Sequence, residues 1–292
     1  MQDFIDEFIQ DKLSDDTRKN YSGDLRRISE YLGKPIIECT PDELKAYIIM
    51  CRDKPLSPVT IGRYKASLAS YFKWLMVNEK MKSDPSALAR SIETGKKSKI
   101  NPKALNKENA KKVMDSLKWE DGIHEYQISL AVLFGFQLGF RRMEIAKAEW
   151  SHINWDDQEI FVLGKGNKEA TVGIPDGQDD LLDRLKVYKM LTDKAKIDSR
   201  WIFYKKDNPS QRHQKHNIYK WYKIINKRCG FGKELRFSPH SGRHGFCTAL
   251  NDAGIPILTA IKMSRHEKPD MFSRYARIDK KPVKDALKKT FG

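Results

Sequence analysis

Residues 240–244 read His-Ser-Gly-Arg-His, residues 264–266 read Ser-Arg-His, and Tyr275 stands nine positions after His266. A guanidinium can bind two phosphate oxygens at once, an imidazole can transfer a proton, and a phenol can act as a nucleophile. This part of the sequence therefore contains the groups needed to attack a phosphodiester. That chemistry needs no metal ion, and no metal-ligand motif in the sequence competes well with it.

The overall composition indicates a folded protein of two domains. A chain of 292 residues is longer than a typical single domain, and 39% of its residues are hydrophobic. The longest apolar stretch, near residues 128–136, is far shorter than the roughly 20 residues that span a bilayer, and the N-terminus lacks a signal pattern. The four cysteines are widely spaced, without a CxxC pair, which is typical of reduced thiols. We therefore expect a cytoplasmic protein with no membrane partner.

The net charge of +16 is unevenly distributed along the chain. Residues 1–95 contain as many acidic as basic side chains, so the whole excess lies in residues 96–292. A strong positive excess on one domain is typical of a protein that binds a polyanion, most often a nucleic acid. The alternative is a surface whose charge serves only solubility.

The first 90 residues show the pattern of four helices. The third helix is predicted to begin at the capping box Thr40-Pro41-Asp42-Glu43, and the fourth at Ser57-Pro58. On the fourth helix the apolar positions predict an inner face, and Arg63, Lys65 and Lys73 lie outside it. These three cations are candidates for contacting DNA; the alternative is an ordinary solvated helix face.

Residues 91–104 are predicted to form a linker, because they are polar and basic and include Gly95 and Pro102. Lys99 and Lys103 of this linker are further candidates for following a phosphate backbone. Residues 105–292 then show several helical patterns. Two short alternating runs, 159–163 and 170–174, flank a turn rich in Gly and Asn, which predicts a β-hairpin.

Four stretches, in this order along the chain, resemble the motifs of the tyrosine recombinases, the integrase family. Residues 139–144, Gly-Phe-Arg-Arg-Met-Glu, are similar to the family's G-L-R-x-x-E box, and residues 164–168, Gly-Lys-Gly-Asn-Lys, resemble its hairpin turn. Residues 240–244 match H-x-x-R-H, and residues 264–266 stand where the family usually has L-G-H. Tyr275 lies at the distance of the family's nucleophile from the last motif.

The resemblance covers nearly the whole chain and implies its architecture. The expected fold is mainly α with a small β-sheet in the catalytic domain. The resemblance implies an N-terminal four-helix, SAM-like core-binding domain over residues 1–90 and the basic linker over residues 91–104. The catalytic domain, with a C-terminal tail, would occupy residues 105–292.

The resemblance also implies the site. The catalytic residues would be Arg141, Lys165, His240, Arg243, His266 and Tyr275. The two arginines would bind the phosphate, His240 would accept the proton of the Tyr275 phenol, Lys165 would protonate the leaving 5′ oxygen, and His266 would hydrogen-bond the phosphate. Glu144 would orient an arginine, and His244 would be structural. The product would be a 3′-phosphotyrosyl link, formed without a cofactor, ATP or a divalent ion.

The sequence departs from the family pattern beside these residues. Phe140 and Gly242 each replace a common Leu, and Ser264-Arg265 replaces the common Leu-Gly. These positions neighbour the expected catalytic residues and do not coincide with them. Arg142 directly follows Arg141, but the offset of three to Glu144 favours Arg141 as the catalytic arginine.

The family resemblance further implies double-stranded DNA as partner and a homotetramer on two recombination sites, acting through a Holliday junction in the nucleoid. It leaves open whether accessory DNA-bending proteins take part. We expect integration or excision of a mobile element, with dimer resolution or DNA inversion as alternatives. Less expected are a non-catalytic DNA-binding relative, a type IB topoisomerase, or a metal-dependent nuclease that uses His240 and His244.

Overall fold

The computed structural model describes residues 3–11, 14–54, 56–95, 105–164, 169–176, 180–232, 235–266 and Phe272. The chain divides into two compact units, Met1–Ile100 and Asn101–Gly292. Most of the predicted linker, including Lys99 and Lys103, lies outside the described residues.

The first unit is helical. Its helices are α1 (Ile5–Gln10), α2 (Asp15–Leu32), α3 (Pro41–Asp53), α4 (Pro58–Val77) and α5 (Ala87–Ser91). Three of them begin at a local signal, because the side chain of Ser14, Thr40 or Ser57 accepts a hydrogen bond from a backbone N–H of the first turn. The four predicted helices are present. The short α5 was not predicted, since five residues are too few to show a helical period.

The second unit combines helices with two small antiparallel sheets. Its helices are α6 (Lys107–Asp115), α7 (Ile123–Gln137), α8 (Arg142–Ala146), α9 (Leu181–Lys194), α10 (Lys215–Arg228), α11 (Pro239–Asp252) and α12 (Ile257–Ser264). The strands β1 (Ile153–Asn154), β2 (Glu159–Leu163) and β3 (Glu169–Gly173) form one sheet in that order. The strands β4 (Tyr204–Lys205) and β5 (Asn208–Arg212) form the other. The predicted fold class, mainly α with a small sheet, is confirmed.

Helix α7 lies at the centre of the second unit. Every side chain from Tyr126 to Gly135 is buried, so the helix is enclosed on all sides and not on one stripe alone. Two glycines permit its close approach to α11. A Cβ atom on Gly242 would lie 3.4 Å from the backbone of Gly135. The departure Gly242 therefore lies at the contact between α7 and α11.

The predicted hairpin is formed by β2 and β3, which pair antiparallel with Ile160 opposite Val172 and Val162 opposite Ala170. Its turn, residues 165–168 with Lys165, lies outside the described residues. Within the described parts of the chain, no helix has both the length and the apolar character needed to cross a membrane.

Candidate active site

Arg141 lies where α7 ends and α8 begins. Gly139 takes a positive φ of 60°, which turns the chain after α7, and Arg141 then occupies the N-cap of α8. The Arg141 Nη1 group donates to Glu144 Oε1 at 2.7 Å, and the Arg141 backbone N–H donates to Glu144 Oε2 at 2.8 Å. The Arg141 side chain is 33% exposed, whereas the Glu144 side chain is only 3% exposed. Glu144 thus fixes a guanidinium that still faces solvent.

Arg243 lies on the second turn of α11. Ser238 caps this helix by accepting a hydrogen bond from Ser241, and Pro239 occupies the first helical position. The Arg243 guanidinium donates from Nη1 to the Gly139 carbonyl oxygen at 2.6 Å and from Nη2 to the Ser264 carbonyl oxygen. Arg243 is only 2% exposed. Burial lowers the pKa of this guanidinium to about 10, helped by the positive charges of Arg141 and Arg265, so it remains a cation at neutral pH.

The Arg265 guanidinium also enters the site. This residue ends α12 in the left-handed conformation, with φ 55° and ψ 44°. Its carbonyl oxygen accepts a hydrogen bond from Arg141 Nη2 at 3.0 Å, and its own guanidinium contacts Glu144 Oε2 at 3.1 Å. From the sequence, Arg265 was recognised only as a departure from the family's glycine, and no role was predicted for its side chain. A charge at a position that favours glycine was the signal that could have found it.

The three guanidiniums gather where the C-termini of two helices meet. The final carbonyl groups of an α-helix lack partners within the helix and carry partial negative charge. The carbonyls of Leu138 and Gly139 follow α7, and those of residues 263–265 belong to the end of α12. Each of these carbonyl oxygens accepts a hydrogen bond from Arg141, Arg243 or Arg265. The helix ends therefore hold the cations close together despite their mutual repulsion.

Two histidines share this cationic surrounding. Burial lowers the pKa of His240, and the charges of Arg243 and Arg141 lower it further. The same effects, with burial the largest, lower the pKa of His266 to about 4. The His266 Nδ1 atom hydrogen-bonds Ser264 Oγ at 2.7 Å. Both imidazoles are therefore neutral at neutral pH, the form in which a histidine can accept a proton.

His240 and His244 lie one helical turn apart on α11, with their ring centroids 4.2 Å apart in an edge-to-face arrangement. Such a pair could contribute two ligands to a zinc site. However, the described part of the chain contains no group of three or more His, Cys, Asp or Glu side chains that could hold a metal ion.

The structure thus brings together five of the residues selected from the sequence. They are Arg141, Glu144, His240, Arg243 and His266. The predicted nucleophile Tyr275 and the predicted general acid Lys165 lie outside the described residues.

The predicted DNA contacts on α4 differ in their surroundings. Arg63 Nη2 pairs with the buried carboxylate of Asp24 at 2.8 Å. The Lys65 ammonium donates to the carbonyl oxygens of Arg90, at 3.2 Å, and Ile92, where α5 ends, and burial lowers its pKa. Lys73 is exposed. Arg63 and Lys65 therefore stabilise the first unit, and a DNA contact by any of the three stays a prediction.

The model of the phage integrase family matches residues 103–281, and the model of the phage integrase N-terminal SAM-like domain matches residues 1–79. The chain therefore belongs to the phage integrase family, the tyrosine recombinases. Members of this family cleave and rejoin DNA strands in site-specific recombination, so the protein is an enzyme of that class. The resemblance drawn from the four sequence motifs is confirmed.

Similar proteins extend over most of the chain. The tyrosine recombinase XerD of Listeria innocua serovar 6a is 27% identical over 301 residues, which cover 99% of this chain and 98% of that protein. The tyrosine recombinase XerA of Pyrococcus furiosus is 27% identical over 265 residues, covering 90% and 84% of the two chains.

Solved structures share the fold. The XerH site-specific recombinase bound to palindromic difH substrate, a post-cleavage complex, matches with a TM-score of 0.74 at 17% identity and covers 93% of this chain and 79% of that one. A lambda integrase dimer bound to a COC' core site matches with a TM-score of 0.71 at 15% identity, covering 94% and 93%. At these identities the likeness concerns the fold alone.

Proposed function

We propose that this recombinase cleaves a strand of double-stranded DNA with the Tyr275 phenol as nucleophile. The bond between the phenolic oxygen and phosphorus forms, and the bond between phosphorus and the 5′ oxygen breaks. The product is a 3′-phosphotyrosyl link, which keeps the energy of the broken bond for rejoining. The observation that carries this proposal is the convergence of Arg141 and Arg243, from helices about 100 positions apart, on neighbouring carbonyls: Arg141 donates to that of Arg265, and Arg243 to those of Gly139 and Ser264.

The two arginines can stabilise the charge that develops during this reaction. A phosphodiester under attack places additional negative charge on its equatorial oxygens, and fixed cations in a site with little water lower that energy. A guanidinium has five N–H groups, and each arginine uses one from each terminal nitrogen for the contacts described above. The others are suited to the phosphate oxygens. The burial of Arg243 removes the screening that water would provide.

Proton transfer would involve His240 and Lys165. The phenol of a tyrosine has an ordinary pKa of about 10, so its attack at neutral pH needs a base. His240 has a lowered pKa and is neutral there, which suits it to accept the phenolic proton. Lys165 would give a proton to the 5′ oxygen as that oxygen leaves.

The exposed face of α10 supports binding to the DNA backbone. His216, Lys220, Lys223 and Lys227 are exposed and recur at helical spacing, so they form one basic stripe. Such a stripe can neutralise phosphates without reading sequence. The XerH and lambda integrase structures that share the fold contain DNA. We extend the proposal to a homotetramer on two recombination sites.

The biological role we propose is integration or excision of a mobile element, since the matching family is described as that of phage integrases. Dimer resolution is the second candidate, because Xer recombinases match nearly the whole chain. Both roles use the same strand chemistry.

Covalent capture tests the chemistry and the role together. The wild type and the Tyr275→Phe variant are incubated with nicked fragments of the source genome in EDTA, denatured in SDS and examined for protein-linked DNA. Adducts from the wild type alone support the proposal, and sequencing the trapped DNA separates a mobile-element end from a chromosomal or plasmid site. Equal adducts from both proteins would refute Tyr275 as the nucleophile. DNA binding by both proteins without adducts would refute the catalytic proposal.

A further inference from the structure

The Arg265 guanidinium makes hydrogen bonds to several groups of the site. Its Nη1 group donates to the carbonyl oxygens of Leu138 and Met263, each at 3.2 Å, and its Nη2 group donates to that of Gly139 at 3.0 Å. Nη2 also contacts Glu144 Oε2 at 3.1 Å. The guanidinium lies 5.0 Å from the centre of the Phe140 ring, close enough for a cation–π contact. The side chain is only 8% exposed, so it is part of the interior.

These contacts prevent Arg265 from binding substrate in the way proposed for Arg141. Its terminal nitrogens are directed at three carbonyls and a carboxylate, and the Phe140 ring covers the guanidinium. The Arg141 side chain is about four times as exposed, at 33%. Any effect of Arg265 on the reaction must therefore act through a neighbouring residue. The neighbour that both arginines share is Glu144.

Glu144 stands between the two arginines. Oε1 accepts from Arg141 Nη1, whereas Oε2 accepts from the Arg141 backbone and from Arg265 Nη2. Burial by itself raises the pKa of this carboxyl group. The charge of Arg265 is the largest effect in the opposite direction, ahead of the hydrogen bonds from Arg141, and the pKa lies below its ordinary value. Arg265 is thus a second counterion of Glu144 beside Arg141.

We propose that Arg265 is a positioning residue that balances the charge of Glu144 and so keeps Arg141 available to a phosphate oxygen. Without Arg265, the buried carboxylate would have Arg141 as its remaining cation and would compete with the phosphate for that guanidinium. With Arg265, the group holds three guanidiniums and one carboxylate, so Arg265 can balance Glu144 while Arg141 and Arg243 remain for the phosphate. This inference rests on the proposed function, because it concerns the same phosphate site.

The position of Arg265 in the chain agrees with this role. Its backbone lies in the left-handed region, which favours glycine over any residue with a Cβ atom. The departure Phe140 supplies the ring that covers the guanidinium. The two departures from the family pattern, at positions 140 and 265, are therefore one structural unit.

The test compares four proteins: wild type, Arg265→Met, Glu144→Gln/Arg265→Met and Arg265→Lys. Arg265→Met removes the charge while keeping an unbranched side chain. We expect it to slow single-turnover adduct formation about 10- to 100-fold, which is the size of effect that misplacing a catalytic group produces. Glu144→Gln removes the unbalanced charge but keeps an acceptor for Arg141, so the double variant should recover most of the loss. Arg265→Lys should lie between the wild type and Arg265→Met.

A structural role alone predicts a different result. If Arg265 only held the carbonyls of residues 138, 139 and 263, the second substitution could not restore the rate. The matched control is Arg228→Met, which breaks the ion pair of Arg228 with Glu125, also partly buried, at the other end of α7. This control should lower the melting temperature without changing the adduct rate of the folded protein. Arg265→Met at the wild-type rate, or no recovery in the double variant, would overturn the inference.

A second measurement distinguishes this inference from the proposed function. Inorganic phosphate is titrated calorimetrically into each protein without DNA, and the site signal is the part that an Arg141→Met variant loses. The expected order of affinity is wild type, then the double variant, then Arg265→Met. If no protein forms adducts but this order holds, the proposed function fails and the inference stands. Equal phosphate affinity in the wild type and Arg265→Met would overturn the inference whatever the adducts show.

Discussion

The contact between α7 and α10 makes Gly135 sensitive to one added carbon. A Cβ atom there would lie 2.5 Å from Tyr222 Oη, which donates a hydrogen bond to the Ala131 carbonyl oxygen at 3.1 Å. Non-bonded heavy atoms pack at about 3.5 Å or more. Gly135→Ala must therefore displace the Tyr222 ring by about 1 Å. That ring is fully buried, and protein interiors are closely packed, so such a shift is costly.

The expected destabilisation follows from three contributions. Separating the buried hydroxyl from its partner costs about 1–3 kcal/mol, and forcing a carbon into a packed contact costs about 1–3 kcal/mol more. Alanine is favoured over glycine within a helix by about 0.5–1 kcal/mol, which offsets part of this. We therefore expect Gly135→Ala to lower the free energy of unfolding by about 3 kcal/mol.

Urea unfolding followed by tryptophan fluorescence measures this change, since five of the six tryptophans lie in the second unit. Tyr222→Phe removes the obstructing oxygen, so Gly135→Ala should cost about 2 kcal/mol less in that background than in the wild type. The matched control is Gly62→Ala on α4, where a Cβ atom would meet nothing within 4 Å and should not destabilise the first unit. An equal cost in both backgrounds would refute the steric argument, as would a Gly135→Ala variant within about 0.5 kcal/mol of wild type.

Three further predictions concern the site. Arg243→Lys should slow adduct formation about 100-fold or more and leave DNA affinity nearly unchanged, because one ammonium cannot replace the two guanidinium nitrogens that reach Gly139 and Ser264. A gel-shift assay measures the affinity beside the capture assay. Parallel losses of affinity and adduct rate would contradict the prediction. The adduct rate should fall as the pH drops through the lowered pKa of His240, which lies below the ordinary histidine value of about 6.5. Arg141→Gln removes a cation near the imidazole and should therefore move this fall in rate to higher pH. If the pH dependence does not move, His240 is excluded as the base. Ser264→Ala should slow adduct formation, because it removes the hydrogen bond between Ser264 Oγ and His266 Nδ1. Ser199→Ala, at a serine remote in sequence, is the control. Equal adduct rates in the two variants would show that the Ser264–His266 hydrogen bond does not contribute to the reaction.

Sequence reasoning succeeded for features that a short stretch of chain determines. The starts of α3 and α4 follow from Thr40 and Ser57, because a capping side chain and the following proline act within one turn. The hairpin of β2 and β3 follows from alternation on either side of a turn. The four motifs likewise led to Arg141, Glu144, His240, Arg243 and His266, which the structure brings into one region.

Features that depend on distant parts of the chain could not be predicted. The strands β4 and β5 were missed because residues 204–212 are mostly polar and include Pro209, which is unfavourable in a strand. The Lys65 ammonium looked free by helical period, yet it reaches carbonyls more than 20 positions later. The surroundings of Arg265 depend on the end of α7, more than 120 positions earlier. No local pattern contains such pairings.

The two helix ends that hold the arginines also limit when the arginine cluster can form during synthesis. Arg141 and Arg243 leave the ribosome before residues 264 and 265, whose carbonyls anchor them. Until α12 has formed, the guanidiniums of a nascent chain lack those anchors and repel one another. The arginine cluster can therefore form only after the end of α12 has left the ribosome.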